Sequence, residues 1–324
     1  MAYNVMKYGA VGDGVVDDTE AIQRTLDAAK PGGKVKIPEG HYRVTDTLRV
    51  RKSIRIRGDW AEPKGVPGTA GSYIVSDNPR VDILSVAPSW GSVSLSNVSF
   101  FGGLNCINVD GNCGLLSVFR DIACNGAANA CISINATFIG SGLENIKLAN
   151  SEYGILCEDA VNMNASRIFG MRISETRTAA MRLNSNTAST VIYIRNSTIE
   201  GNQGPAIDAL GGMRLWIDGT HFEKNCIAHG QADILMGASN NALCYVTLSG
   251  GIFSAAGAAQ GLTRIAFQGV RSQLSLIDCG IMAGNIIDGN GHGTGSRIFG
   301  SPQRTRPTVV GLEAAQVQWW PETV

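Results

Sequence analysis

The sequence predicts an all-β fold, a right-handed parallel β-helix (solenoid) with an N-terminal capping α-helix. Three observations predict it: a repeat that begins near Gly91, the absence of a convincing amphipathic helix within any repeat, and a first segment of 60 residues in which the apolar residues are spaced differently. The composition agrees with this fold. Glycine is abundant at 40 residues, and asparagine and serine are frequent, which favours many short elements joined by turns.

Each repeat carries two apolar anchor positions. The first anchor follows a small or polar residue after a short gap, and successive units begin 24, 24, 25, 26, 23, 31 and 29 residues apart. Each unit runs from its small or polar first residue to its first anchor, and the units in order are Asn97–Phe100, Asp121–Ile122, Asn145–Leu148, Gly170–Ile173, Asn196–Ile199, Gly219–Phe222, Gly250–Phe253 and Cys279–Met282. The second anchors are Ile107, Ile132, Ile155, Met181, Ile207, Ile234 and Ile265. Such units are too short for βαβ units, so they predict a coil of parallel strands about 4.8 Å apart with the anchors stacked inside.

The helix expected to cap the solenoid lies within the first 60 residues. Ala21, Ile22 and Leu26 recur at helical spacing, and Asp17–Glu20 before them supply acceptors for the free N–H groups of a helix N-terminus. The glycine-rich loop Tyr8–Gly14 lacks the spacing of a phosphate-binding loop. A cap over the exposed end of a stack of strands is therefore the favoured interpretation.

The segments Tyr8–Gln23 and Gly33–Tyr42 resemble the N-terminal signature of the pectate lyase superfamily. That signature opens many phage tailspikes, depolymerases and secreted β-helix enzymes, so the resemblance implies the fold and a polysaccharide partner. It implies no particular reaction, because lyases, hydrolases, epimerases and non-catalytic binders share it, and it carries no catalytic residues. It also implies a homotrimer, with a site that lies within or between subunits.

One domain is expected, built from three consecutive segments. They are the cap helix and first strands at 1–60, the β-helix rungs at 61–288 and a closing segment at 289–324. Glu62–Gly68 is expected to be an inserted loop, and Gly291–Gly295 a second loop. Trp319–Pro321 is expected to close the far end of the β-helix or to pack on another subunit.

Charge and composition argue against several functions. Lys plus Arg equals Asp plus Glu at 27 each, which leaves no basic excess for nucleic acid. The sequence contains no run of 18 apolar residues, so no transmembrane helix is expected, and no signal peptide is visible after Met1. No C-x-x-C pair occurs, and we expect no metal and no cofactor. The cysteines are expected to be reduced and buried, with disulfides as the alternative; they are Cys106, Cys113, Cys124, Cys131, Cys157, Cys226, Cys244 and Cys279.

Residues that flank an inward anchor should point outward, because side chains alternate along a strand. Stacking then places two columns side by side as a polar strip that crosses four or five turns. The column before the anchors is Lys147, Arg172, Thr198 and His221, and the column after them is Ala149, Ser174, Glu200, Glu223 and Ser254. In this strip Arg172, Lys147, Thr198 and His221 are candidates for substrate binding.

Glu200 and Glu223 occupy the same position in consecutive turns and are the leading catalytic candidates. Two neighbouring carboxyl groups divide into a protonated acid and a charged base, which is what glycoside hydrolysis requires. Asp218 or Asp208 is an alternative second acid, and Asp233 could also come close. A separation near about 5 Å suits a retaining mechanism and roughly 6.5–9.5 Å an inverting one.

The alternative is that both glutamates are ordinary exposed carboxylates, neutralised by Lys224, Arg195 or Arg172. Asn202 and Asn225 also match between turns; they favour a ladder of amide hydrogen bonds over substrate contact, although Asn225 remains a binding candidate. A second acidic region without matched pairing is a reserve site. It consists of Glu144, Glu152, Glu158, Asp159 and Glu175.

Three functions remain open at this point. The first is a tailspike-like glycoside hydrolase that cleaves bacterial surface polysaccharide. The second is a lyase or epimerase on uronate-containing glycan, for which His221 could act as base and Arg172 could neutralise the uronate carboxylate. The third is a fibre or adhesin that only binds glycan. The expected location is a phage virion tail or the extracellular space, without membrane insertion.

Overall fold

A computed structural model describes most of the chain. The described residues are 2–59, 70–114, 116–158, 162–226, 232–237, 243–254, 263–268, 272–279, 286–289, 296–300, 308–313 and 316–319. The chain divides into two compact units, Met1–Leu156 and Cys157–Val324. Both units are parallel β-solenoids, which confirms the predicted fold class. The expected loops Glu62–Gly68 and Gly291–Gly295 lie outside the described residues.

The first unit begins with a short 3-10 helix, Val5–Tyr8, and the α-helix α1, Thr19–Ala28. Ile22 and Leu26 are buried on one side of α1, which confirms the helical spacing in the sequence. Asp18 stands at the N-cap position, but its carboxylate accepts hydrogen bonds from Val11 N at 2.6 Å and Gly12 N at 3.0 Å. It therefore holds the glycine-rich loop in place. The cap function of α1 stays a prediction.

The strands of the first unit are short, and every described pairing among them is parallel. They are β1 Tyr3–Asn4, β2 Asp13–Asp17, β3 Lys34–Ile37, β4 Gly40–Arg43, β5 Leu48–Val50, β6 Ile54–Gly58, β7 Ser72–Ser76, β8 Leu84–Val86, β9 Val93–Ser96, β10 Ser99–Gly102, β11 Asn105–Val109, β12 Val118–Asn125, β13 Ala130–Ile134, β14 Gly142–Ala149 and β15 Tyr153–Cys157. One ladder runs β1–β3–β6–β9–β12–β14, a second β2–β4–β7–β10–β12, and a third β5–β8–β11–β13–β15.

The second unit repeats this plan. Its strands are β16 Ser166–Phe169, β17 Arg172–Ser174, β18 Ala179–Arg195, β19 Thr198–Glu200, β20 Ile207–Asp218, β21 His221–Glu223, β22 Ile234–Gly237, β23 Cys244–Ser249, β24 Ile252–Ser254, β25 Thr263–Phe267, β26 Ser272–Ile277, β27 Ile286–Asp288, β28 Arg297–Gly300, β29 Thr308–Val310 and β30 Val317–Trp319. Sheet A contains β16, β18, β20, β23, β26, β28 and β30. Sheet B contains β17, β19, β21 and β24. Sheet C contains β18, β20, β22, β25, β27 and β29.

The small or polar residues that open each repeat form left-handed turns. Positive φ angles occur at Asn97, Asp121, Asn145, Gly170, Asn196, Gly219, Gly250 and Asp278. Glycine, asparagine and aspartate tolerate this conformation best. The prediction that the last unit begins at Cys279 was therefore wrong by one residue, because Asp278 (φ 49°) makes the turn.

The anchors fill the interior, with one correction. Ile107 pairs with Ile132, and Ile207 pairs with Ile234, so the second anchors stack as predicted within each unit. In the first series, however, Cys124 lies between Phe100 and Leu148, so Ile122 is not the aligned anchor of its turn. A small thiol occupies the position that a large apolar side chain fills in the neighbouring turns.

All eight cysteines are free thiols, as the sequence predicted. Seven are buried and Cys226 is half-buried. Burial raises the pKa of every one of these thiols, to about 12 for Cys157, Cys226 and Cys244. Over the part of the chain that the structure describes, no helix is long and apolar enough to cross a membrane.

Candidate functional site

Sheet B brings the predicted polar columns together on consecutive turns. Arg172, Thr198 and His221 are aligned in one column, and Ser174, Glu200, Glu223 and Ser254 are aligned in the column beside it. Matched positions lie one strand spacing apart, about 4.8 Å. The predicted register of Glu200 and Glu223 is therefore confirmed. We call Arg172, Thr198, Glu200, His221 and Glu223 the carboxylate strip.

The carboxyl group of Glu200 is bound by a guanidinium from the preceding turn. Arg172 Nη2 donates a hydrogen bond to Glu200 Oε1. The Arg172 side chain is 58% exposed and that of Glu200 is 27% exposed, so the pair faces solvent on one side. The guanidinium of Arg172 thus contacts one oxygen of the Glu200 carboxylate.

The carboxyl group of Glu223 has weaker cationic neighbours. His221 Nε2 lies 3.7 Å from Glu223 Oε2, and Lys224 Nζ lies 3.7 Å from Glu223 Oε1. Both distances exceed that of a hydrogen bond. His221 Nε2 is shielded from solvent and has no hydrogen-bond partner among the described residues. The His221 ring is therefore next to Glu223 without a hydrogen bond between the two side chains.

A polar network holds the turns that follow the two glutamates. Asn202 Nδ2 donates to Asn225 Oδ1 at 2.7 Å, which confirms the predicted ladder of amides. Asn225 Nδ2 donates to Ile199 O and to Asp233 Oδ1, both at 3.0 Å. Since these bonds occupy both ends of the Asn225 amide, its position supports the turn more directly than it supports substrate binding.

Asp233 belongs to this network and is buried. Arg264 Nη1 donates to Asp233 Oδ2 at 2.7 Å, and the two side chains are 3% and 2% exposed. Burial raises the pKa of Asp233, while Arg264 beside it acts in the opposite direction. Asp233 therefore supports the turn that carries Asn225 and does not reach the surface of the carboxylate strip.

Asp218 and Asp208 lie on β20 and are each paired with an arginine of the neighbouring turn. Arg195 Nη2 donates to Asp218 Oδ2 at 2.9 Å on sheet A. Arg182 Nε donates to Asp208 Oδ2 at 2.9 Å on sheet C. The structure therefore places these two candidate acids on different sheets from the carboxylate strip.

A cavity of about 460 Å³ opens beside Asp208 on sheet C. Its lining is Thr178, Arg182, Pro205, Asp208, Leu210, Leu235 and Gln268. The sequence analysis missed Arg182 as a member of this site. The signal was present, because Arg182 and Asp208 directly follow the second anchors Met181 and Ile207 and are therefore aligned.

The remaining predicted residues have the following positions. Lys147 is on β14 of the first unit, where it pairs with Ala123, and its place beside Arg172 stays a prediction. In the reserve acidic region, Glu144 Oε2 lies 3.7 Å from Arg120 Nε, and Glu175 is exposed. Asp159 lies outside the described residues. Among the residues that the structure does describe, no group of three or more His, Cys, Asp or Glu side chains could hold a metal ion.

The fold and site together define a parallel β-solenoid with paired carboxylates on an outward sheet face, an arrangement able to perform acid–base chemistry on an extended ligand. The family model described as rhamnogalacturonase A/epimerase, pectate lyase-like, matches residues 2–235, and the chain belongs to this family. It is a polysaccharide-active β-helix family.

Curated relatives match over limited stretches. Alginate lyase 7 of Azotobacter vinelandii is 32% identical over 121 residues, which is 35% of this chain and 13% of the relative. Mannuronan C5-epimerase AlgE1 of the same organism is 57% identical over 47 residues, which is 14% of this chain and 3% of the relative. The chain thus spans a small share of the length of the curated relatives it matches.

Solved structures share the fold at low identity. Endo-xylogalacturonan hydrolase from Aspergillus tubingensis has a TM-score of 0.63 and 12% identity, covering 98% of this chain and 94% of the other. The Dettilon tailspike protein has a TM-score of 0.54 and 14% identity, covering 98% of this chain and 68% of the other. At such identities these similarities show the fold alone.

Proposed function

We propose that this protein is a glycoside hydrolase that cleaves a bacterial surface polysaccharide, with Glu200 and Glu223 as its catalytic carboxyl groups. The observation that carries the proposal is their register, because β19 and β21 place them opposite each other on consecutive turns. Both side chains are partly shielded, at 27% and 22% exposed, yet open to a ligand that lies across the turns.

We assign different roles to the two groups on the basis of their contacts. Glu200 accepts a hydrogen bond from Arg172, so we propose that it is the nucleophile or the base that activates water. His221 and Lys224 both lie beyond hydrogen-bond distance of Glu223, so we propose that Glu223 is the acid that protonates the leaving oxygen. In a retaining reaction Glu223 takes its proton back from the water that hydrolyses the glycosyl–enzyme bond, and in an inverting reaction Glu200 takes the proton of the attacking water. His221 lies beside Glu223 and stays a substrate-binding candidate.

The test is incubation with a panel of bacterial capsular and O-antigen polysaccharides, followed by mass spectrometry of the products. Glu200→Gln and Glu223→Gln should each lower the cleavage rate at least roughly 100-fold, since each removes an acid–base group. Glu20→Gln is the matched control, because Glu20 is 89% exposed on α1 of the first unit. This variant should cleave at the wild-type rate. Wild-type rates in both Glu200→Gln and Glu223→Gln would contradict the assignment.

A second candidate is a lyase or epimerase acting on a uronate, and the cavity on sheet C favours it. There Arg182 could bind a uronate carboxylate in place of Asp208, which would release Asp208 to act as a base. Unsaturated products that absorb in the ultraviolet, and that disappear in Asp208→Asn, would support a lyase over a hydrolase. An epimerase would instead invert the uronate without cleavage or unsaturation, which NMR of the glycan would detect. Glycan that is bound and released unchanged by the wild type would instead support a non-catalytic binder.

We also propose that the protein works as a homotrimer on a phage virion tail or outside the cell. The tailspike fold similarity supports this assembly and location. Sedimentation velocity of the purified chain would test the trimer, because a monomer at micromolar concentration would contradict it.

A further inference from the structure

The outward face of sheet A carries exposed aromatic rings on successive turns. Phe169, Tyr193 and Trp216 are 49%, 40% and 46% exposed, although rings of this size are usually buried. Tyr193 is directly opposite Trp216 in the register of β18 and β20. Phe169 lies on the turn before Tyr193, in the neighbouring column that contains Arg195. We call the surface that carries these three rings the aromatic face.

Arginines flank these rings on sheet A. Arg214 is opposite Tyr245 on the next turn, and its guanidinium carbon lies 5.0 Å from the centre of that ring. Such stacking holds the guanidinium flat while its N–H groups remain able to donate to a ligand. Arg167 precedes Tyr193 in the same column, one turn earlier.

The aromatic face is basic. At the outward positions of sheet A strands β16 to β28, within the described residues, the charged side chains are Arg167, Arg195, Arg214, Asp218 and Arg297. Four arginines thus stand against one aspartate, and that aspartate is already bound by Arg195. An anionic ligand complements this surface, although the whole chain has no net charge.

A trough of about 370 Å³ lies between the rings. Its lining includes Tyr193, Arg214, Trp216, Tyr245 and Thr247. Its size and its mixture of aromatic walls with a few polar groups are typical of a small-ligand site. A flat protein interface would not require such a concave space between rings.

We propose that the aromatic face is a second, non-catalytic site that binds an acidic polysaccharide. The apolar faces of pyranose rings stack on Tyr193 and Trp216, and Arg214 donates to a carboxylate of the sugar. Turns one strand spacing apart let a glycan chain run along the sheet and contact a ring or an arginine at each turn. The inference takes from the proposed function only that the ligand is a polysaccharide.

The aromatic face and the carboxylate strip are neighbouring surfaces of the second unit. Only two residues separate the end of β18 at Arg195 from the start of β19 at Thr198, and likewise Asp218 from His221. A polysaccharide held on sheet A is therefore kept close to Glu200 and Glu223. This arrangement raises the local concentration of substrate without any contact to the reacting bond.

The experiment is affinity electrophoresis in native gels that contain alginate, polygalacturonate or dextran. The protein is the full chain with Glu200→Gln and Glu223→Gln, so that cleavage cannot remove the ligand from the gel. Trp216→Ala, Trp216→Phe and Arg214→Gln are each introduced separately into this double variant. Trp90→Ala in the first unit is the matched control, because Trp90 is 65% exposed.

We expect retardation by alginate or polygalacturonate and none by dextran. Trp216→Ala should weaken the retarding affinity roughly tenfold, Trp216→Phe should recover most of it, and Trp90→Ala should have no effect. Arg214→Gln should weaken binding more at low salt than at high salt. This result would support the aromatic face even if no cleavage is ever detected with the wild type.

Three results would overturn the inference. The first is that neither acidic glycan retards the protein, and the second is that Trp216→Ala is retarded as strongly as its parent. The third is a change of oligomeric state in Trp216→Ala, measured by sedimentation velocity. That change would show that the aromatic face is a contact between copies of this chain. Loss of cleavage in Glu200→Gln with intact Trp216-dependent binding would separate the two proposals.

Discussion

The buried pair of Asp233 and Arg264 sets a large, measurable part of the stability of the second unit. Replacing Asp233 with alanine leaves a guanidinium charged and 3% exposed without its carboxylate. Breaking one side of such a pair costs about 3–5 kcal/mol, and the lost hydrogen bond from Asn225 adds about 1 kcal/mol. We therefore expect Asp233→Ala to lower the free energy of unfolding by about 4–6 kcal/mol.

Urea unfolding at pH 8, followed by far-ultraviolet circular dichroism, measures this loss. The double variant Asp233→Ala/Arg264→Met should lose less than Asp233→Ala alone, because it removes the stranded charge together with its partner. Glu20→Gln breaks the exposed pair with Arg24 and should cost only about 0.3–0.5 kcal/mol. A loss below about 1 kcal/mol in Asp233→Ala, or a double variant that equals the sum of both single ones, would refute the reasoning.

Two further predictions concern backbone and thiols. Gly201→Ala should cost about 1–2 kcal/mol, because φ is +67° and nothing lies within 4 Å of the new methyl group, whereas Gly204→Ala should cost clearly more, because its methyl group would lie 1.8 Å from Thr178 O; thermal unfolding of the two variants compares them. Burial raises the pKa of the thiols, to about 12 for Cys226, so iodoacetamide at pH 8 should label the native protein far more slowly than the urea-unfolded chain. Rapid labelling of Cys226 in the native state would contradict the raised pKa of this half-buried thiol.

The repeat made most of the fold predictable. Two series of anchors with drifting but parallel spacings identify the turns, and alternation along a strand then gives the outward columns. This reasoning placed Glu200 opposite Glu223 correctly. It failed at Ile122, where Cys124 is the aligned anchor, because a small thiol gives a weak apolar signal.

The partners of the candidate groups could not be read from the period alone. The sequence analysis offered Arg172, Arg195 and Lys224 as neutralising groups, yet which carboxylate each one reaches depends on side-chain rotamers that the period does not specify. The bond between Arg264 and Asp233 depends likewise on the local path of the chain around two turns. The aromatic face was missed for another reason. The sequence analysis aligned only the anchors and the residues that flank them, and neither Tyr193 nor Trp216 is among these residues.

The central claim is that the two glutamates of the carboxylate strip act as one catalytic unit, and the cleavage rate of the double variant Glu200→Gln/Glu223→Gln tests it most directly. When two groups act as one unit, removing the second costs little once the first is gone. The cleavage rate of the double variant should therefore lie within a few-fold of the rate of the slower single variant. The account is contradicted by losses that multiply in the double variant, or by a double variant that still cleaves at the wild-type rate.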